Sequence, residues 1–170
     1  ARIRGSADED QIIEIATQMI EYRGRRCEVL AVRDLSDRKR AQRAIEHLAS
    51  HDPLTDLANR ACFVRALDEA IAARQSFALL AIDLDRFKAI NDIFGHGAGD
   101  DILRRVANIL RASVRGDDVI ARVGGDEFLI IQRAVSGPDD ARRLASDILE
   151  NFAGEMDVAR DPMAVAASIG

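Results

Sequence analysis

Tryptophan is absent, tyrosine occurs once, and aromatics make up only 4% of the 170 residues. A platform that stacks successive bases of single-stranded nucleic acid needs more ring faces than that. Positive charge is also short, with 24 Lys and Arg against 29 Asp and Glu and a net charge of −5. A general nucleic-acid binder needs a basic surface to displace phosphate counterions, so this class is disfavoured. Cysteine is limited to Cys27 and Cys62. They lie far apart and outside any paired metal-ligand spacing, which points to reduced residues in a cytoplasmic compartment. No apolar run approaches the ~20 residues that cross a bilayer, and no signal peptide opens the chain. The chain begins at Ala1 and stops at Gly170 inside the strand-like run "MAVAASIG". It therefore reads as a piece whose parent is free to be membrane-anchored.

What is present is 48% apolar and 31% charged residues, a globular composition long enough for one good core. "QIIEIATQMIEY" (11–22) and "CEVLAVRDL" (27–35), joined by "RGRR", read as an antiparallel hairpin. "SDRKRAQRAIEHLAS" (36–50) reads as a basic helix. Ser36 and Asp37 suit its N-cap and first turn, and Leu35, Ala41, Ile45 and Leu48 form a sparse apolar stripe. The turn formers of "HDPLTDLANR" (51–60) set a domain boundary just before them. The organisation expected is a piece at 1–35, a connecting helix at 36–51 and a larger domain at 52–170.

In that domain Phe63, Leu67, Ala70 and Ile71 form one helical face, and Phe77–Ile82 suits a buried central strand. A helix from about Arg86 to Phe94 leads to a loop, "GHGAG" (95–99), and then to a helix lined by Ile102, Val106, Ile109 and Leu110. Strands at Val119–Val123 and Leu129–Ile131 enclose a glycine turn. A helix from near Pro138 carries Ala141, Leu144, Ala145, Ile148 and Phe152, and a last strand runs from about Met163. Helices alternating with strands around one hairpin predict an α/β (α+β) fold, with helices covering a mixed central sheet.

Two strand ends carry paired acids: Asp83 with Asp85, and Asp126 with Glu127. Polar residues often do no more than close a strand, and "RVGGDEFLII" (122–131) by itself is a hairpin signal. If the strand at 78–82 lies beside that hairpin, however, Asp83, Asp126 and Glu127 converge. Three carboxylates a few ångströms apart cannot all stay ionised without a cation. Such oxygen donors suit Mg²⁺ (or Mn²⁺), with a main-chain carbonyl such as that of Leu84 completing the shell. Gly124 and Gly125, lacking Cβ, let a phosphate or sugar approach the backbone. Lys88 is placed to set a cation over a polyphosphate. Asn91 and Asp100 carry groups that can read a purine edge, the carboxylate accepting from guanine N1–H and N2–H₂. His96 lies between them, either closing the loop or touching a ligand.

From about Asp52 onward, "DPLTDLANR", "DLDRFKAINDIFGHGAGD" and "RVGGDEF" occur in an order and spacing that resemble the GGDEF domains. These are the diguanylate cyclases that condense two GTP into cyclic di-GMP. The first 50 residues resemble the last hairpin of a PAS sensor domain and its exit helix, with "VRDLSDRKRAQ" as the junction. The resemblance implies a nucleotidyl-cyclase, palm-like sheet that works as a homodimer under sensor control. It implies that Asp83, the Leu84 carbonyl, Asp126 and Glu127 hold divalent metals, and that Asn91, His96, Asp100 and Gly125 bind GTP. Lys88 would contact phosphate and, as a catalytic residue, stabilise charge in the transition state. Asp126 would be a general base for the ribose 3′-OH, with metal activation of that hydroxyl as the rival. Arg115 and Asp118 match an inhibitory site for the product, against the plainer reading of a surface ion pair.

A phosphodiesterase domain after Gly170 is left open. Family members continue past "SIG" with a segment whose Lys and Arg hold the triphosphate, so these 170 residues alone are expected to turn over weakly or not at all. Two rival functions remain. One is a GGDEF-like module that binds GTP or cyclic di-GMP without making product; the other is a different nucleotidyl transferase on a palm-like sheet.

Overall fold

A computed structural model describes residues 2–4, 10–156 and 165–170, and the chain divides into two compact units, Ala1–His47 and Leu48–Gly170. The first unit holds a three-stranded antiparallel sheet, β1 (Arg2–Arg4), β2 (Asp10–Tyr22) and β3 (Arg25–Asp34), in that order, and all but the last residue of the helix α1 (Ser36–Leu48). The β2–β3 ladder closes at Tyr22↔Arg25 over Arg23 and Gly24, whose φ values are +53° and +72°. Two left-handed residues in a two-residue loop match the twist of the strands, which is how the expected hairpin forms.

Ser36 does not cap α1 as its position predicts. Its Oγ accepts the Ile12 N–H at 2.9 Å, while Asp34 Oδ1 accepts the Ser36 N–H at 2.8 Å. The nearby strand has taken the hydroxyl, and the carboxylate two residues earlier satisfies the free helix donor instead.

The second unit runs α2 (Arg60–Ala72), β4 (Phe77–Leu84), α3 (Phe87–Phe94), α4 (His96–Ser113), β5 (Val119–Gly124), β6 (Glu127–Arg133), α5 (Pro138–Glu155) and β7 (Ala167–Ile169). Its strand order is β5-β6-β4-β7, with three antiparallel ladders and one isolated parallel bridge, Ala58↔Ala121. Side chains alternate between the two faces of the sheet. Leu80, Ile82 and Leu84 of β4 and Phe128 and Ile130 of β6 pack with residues of α3, α4 and α5, Ile102, Val106, Ile109 and Leu110 among them. Ala121 and Ile131 point to the opposite face and meet Phe63 and Ala66 of α2. Each large apolar side chain sealed in this way contributes roughly 1.5–3 kcal/mol.

Three further details differ from the sequence reading. β4 is not buried on both faces: Leu79 and Ala81 are exposed, because α2 packs over β5 and β6 and leaves that side of β4 open. Ile71 is exposed near the end of α2, and Ala66 takes the inward place expected of it. The loop at 95–99 contracts to one joint, Gly95 at φ +84°, and His96 already begins α4. The start of the last strand at Met163 lies outside the described residues, and the described strand is Ala167–Ile169.

Candidate functional site

The acidic ends of β4 and β6 meet. Asp83 pairs with Glu127 across the antiparallel ladder, so their side chains share the α2 side of the sheet. The main-chain bonds fix more than the register. Ala81 exchanges hydrogen bonds with Gly170 at 3.0 and 2.9 Å, and the Asp85 N–H donates to the Ala166 carbonyl at 2.8 Å. Residues 81, 83 and 85 therefore direct their peptide groups away from β6. Asp83–Glu127 is then a pair without hydrogen bonds on that ladder, the geometry in which cross-strand side chains come closest. By the same alternation Leu84 turns its carbonyl toward β6, where the ladder has given way to the Gly125–Asp126 turn.

Carboxylate and carbonyl oxygens are hard donors of the kind Mg²⁺ takes. The convergence of three carboxylates is not seen, because among the described residues no three His, Cys, Asp or Glu side chains are grouped to hold a metal. Asp126 occupies the turn and is half-buried, whereas Glu127 starts the strand, so neighbouring residues project differently. Asp83 and Glu127 line a cavity of about 550 Å³ with Arg60, Val123, Leu129 and Ser168. Lys88, Asn91, His96 and Asp100 lie outside it.

The turn itself is locked from behind. Gly125 has φ +44°, a conformation costly for any residue with a Cβ, and Gly124 pairs directly with Glu127 after a bulge at Val123. Arg122 reaches over the bulge and donates from Nε and Nη2 to the Gly125 carbonyl at 3.0 and 2.8 Å. Its Nη1 donates to Asp52 Oδ1 at 3.0 Å and to Oδ2 at 3.3 Å. Asp52 Oδ1 also accepts from the Thr55 N–H and hydroxyl at 2.9 and 2.7 Å, and Arg111 Nη2 donates to the Thr55 carbonyl at 2.6 Å.

Only 14% of the Arg122 side chain and 18% of that of Asp52 is exposed, so water screens this pair weakly. Burial pushes the Asp52 carboxyl up. Hydrogen bonds from Thr55, then the Arg122 guanidinium, outweigh burial and hold it below the ordinary 3.8. Arg122 and Asp52 went unnoticed as site residues in the sequence, since no local pattern joins positions 70 apart. Asp52 was visible there only as one of the turn formers of 51–60.

The residues expected to read a base lie on the other side of the sheet, on α3 and α4. Lys88 is exposed in the first turn of α3, and His96 is exposed as the first residue of α4. Asn91 and Asp100 are half-buried. Asn91 faces Gly99, the buried glycine just before Asp100.

Arg115 and Asp118 sit at the far end of β5. Asp118 Oδ2 accepts the Arg115 N–H at 3.1 Å and Oδ1 accepts the Arg133 N–H at 2.9 Å. The carboxylate thus shapes its loop through main-chain groups; among the described residues it makes no side-chain ion pair with Arg115. Both residues line a small hollow of about 70 Å³ with Gln132, Asp140 and Arg143. The Gln132 Oε1 there is buried and lacks a hydrogen-bond partner. The Asp140 carboxyl is held below its ordinary range, chiefly by the Ser136 N–H, against some burial, and then by Arg143 and Arg115.

The family model for the diguanylate cyclase GGDEF domain matches residues 49–170. The bifunctional diguanylate cyclase/cyclic di-GMP phosphodiesterase MucR of Pseudomonas aeruginosa is 42% identical over 135 residues, covering 77% of this chain and 20% of that protein. Diguanylate cyclase TpbB of the same species is 43% identical over 113 residues, or 64% of this chain and 26% of that protein. This chain thus corresponds to about a fifth to a quarter of these relatives.

Among solved structures, the GGDEF domain of TpbB superposes with a TM-score of 0.60 at 39% identity, covering 71% of this chain and 73% of that one. The coiled coil and GGDEF domain of DgcB from Caulobacter crescentus, in complex with c-di-GMP, gives 0.69 at 26% identity, with 80% and 75% covered.

Proposed function

We propose, for a chain that belongs to the diguanylate cyclase GGDEF-domain family, that the unit at 48–170 condenses GTP into cyclic di-GMP. The observation that carries this reading is the Asp83–Glu127 pair, set in closest cross-strand register beside a turn held open by glycine. Asp83, Glu127 and the Leu84 carbonyl are the residues that would hold Mg²⁺ or Mn²⁺, with Asp126 beside them. A bound divalent ion would neutralise polyphosphate charge and ease ionisation of the ribose 3′-OH.

The chain's own residues do the rest of the work. Gly124 and Gly125 leave room for phosphate and sugar at the backbone. Lys88 screens phosphate charge, and Asn91 and Asp100 select guanine, with His96 at the rim. Asp126 would take the hydroxyl proton or, on approaching Asp83 and Glu127, complete the metal shell. One unit seats one GTP, and the product contains two guanosine monophosphates. Two copies must therefore face each other so that each 3′-OH attacks the other's α-phosphate and pyrophosphate departs twice. The 1–35 piece and the helix at 36–51 would supply PAS-type control of that encounter.

Arg115 and Asp118 would bind the product. The 70 Å³ hollow admits a phosphate or the edge of a base rather than a whole cyclic dinucleotide, so the remainder of the ligand would lie outside it. The deciding experiment is incubation of the full-length protein with GTP and Mg²⁺. Cyclic di-GMP formation supports the reading, and GTP binding without product supports the regulatory-module alternative.

A further inference from the structure

We propose that Gly99 is a specificity-determining positioning residue: its missing side chain is the space that holds the Asn91 amide in place. The proposal rests on the reading of Asn91 as a guanine contact.

Gly99 lies in the first turns of α4 and is buried. Its φ is outside the left-handed range, so backbone conformation does not call for glycine there. Glycine in a helix is also a weaker choice than alanine, so something else must favour it. A Cβ at Gly99 would overlap Asn91 Oδ1 outright, stand 2.9 Å from Asn91 Cγ and 3.1 Å from Phe87 Cζ. Gly97, two residues earlier on the same helix, has nothing within 4 Å of such an atom. The close approach is therefore particular to residue 99.

Phe87 and Asn91 are four residues apart on α3 and lie over the same spot on α4. Phe87 is only 8% exposed and belongs to the main core, so its ring has little room to yield. The helices turn on Gly95 alone, which keeps α3 and α4 close at this level. Asn91 thus shares with a fixed ring the space over bare helix backbone at Gly99. That confinement limits its rotamers and aims its amide before any nucleotide arrives. A methyl at 99 displaces the one mobile partner, and a displaced amide loses its hydrogen-bond geometry to the base. The two positions are eight apart in sequence, Asn91 on one helix and Gly99–Asp100 on the next. A single steric fit therefore sets the placement of one base contact relative to the other.

The test compares Gly99→Ala, Asn91→Ala and the double variant in the full-length protein, with GTP and ATP as probes and circular dichroism as a check on folding. Gly99→Ala is expected to raise the KM for GTP at least about tenfold, the loss expected of one hydrogen bond, and to shrink the GTP-over-ATP preference. Asn91→Ala is expected to do the same, and the double variant no worse than either single.

If Gly99→Ala folds poorly, the double variant is expected to melt nearer the wild-type temperature, because the shortened residue 91 frees the place the methyl needs. A Gly99→Ala protein that keeps full guanine preference while Asn91→Ala loses it overturns the positioning role and leaves the site reading intact. An Asn91→Ala protein with unchanged GTP affinity and preference overturns the reading of Asn91, and the role of Gly99 falls with it.

Discussion

Two hairpins in this chain are built alike and end differently. β2–β3 and β5–β6 each turn on two residues, and each spends a left-handed conformation to do so, at Arg23 and Gly24 in one and at Gly125 in the other. β2–β3 keeps most of its apolar residues in solvent, with Met19 62% and Val32 63% exposed. In β5–β6 Phe128 and Ile130 are sealed completely, and Arg122 braces the turn against Asp52. A local turn signal produces both ladders. In β5–β6 the packing behind the turn holds its carbonyls and carboxylates at fixed positions, which the proposed site requires and β2–β3 lacks.

The largest effect that tests this contrast is at the paired acids. Asp83→Asn and Glu127→Gln are near-isosteric and remove the charge a cation needs, so each is expected to lower cyclic di-GMP synthesis on the order of 10²–10³-fold or more with the fold retained. Equilibrium Mg²⁺ or Mn²⁺ binding should fall in parallel. Normal turnover by a well-folded Glu127→Gln protein contradicts the metal assignment.

The brace comes next. Arg122→Ala leaves a poorly hydrated Asp52 without its cation, and the pair lies between the exposed and buried cases, so a loss of about 2 kcal/mol is expected in chemical unfolding. The freed turn should also cost activity. If stability falls and turnover does not, the brace is only structural. Acid adds a second readout. The folded Asp52 carboxyl titrates below its ordinary 3.8. Its stabilisation is therefore whole above that pH and is lost as pH falls through the lower folded value. An Asp52→Asn protein should lack this acid-dependent component in a comparison of acid unfolding curves.

The β5–β6 hairpin and the element order were legible in the sequence because both are local: period-two alternation, glycine turns and helical stripes. The meeting of Asp83 and Glu127 was legible as well, given one assumption about neighbouring strands, whereas Asp126 does not join them as expected. The link from Arg122 to Asp52 was not, since hydrogen bonds between distant residues leave no spacing to read. Gly99 was misread as part of a loop, because three glycines between 95 and 99 look like a break. Gly97 and Gly99 both fall inside α4, and only at Gly99 does the Asn91 side chain fill the space a Cβ would need.

Smaller effects sharpen the account at its edges. Asp100→Asn replaces an acceptor with an amide that presents a donor to the guanine N1–H face, and the GTP-over-ATP ratio should drop about tenfold in competition kinetics. Equal discrimination by variant and wild type removes Asp100 from base recognition. Arg115→Ala is expected to leave the initial rate nearly unchanged and to relieve slowing as cyclic di-GMP accumulates. Progress curves that slow identically reduce Arg115 and Asp118 to a loop-shaping pair.

The most direct test of the central claim is the product made from GTP by the full-length protein with Mg²⁺, followed across a range of protein concentrations. The account predicts one cyclic di-GMP for every two pyrophosphates, with specific activity rising as two copies meet. A folded, self-associating protein that binds GTP tightly and releases no pyrophosphate contradicts it, as does one that uses ATP as readily.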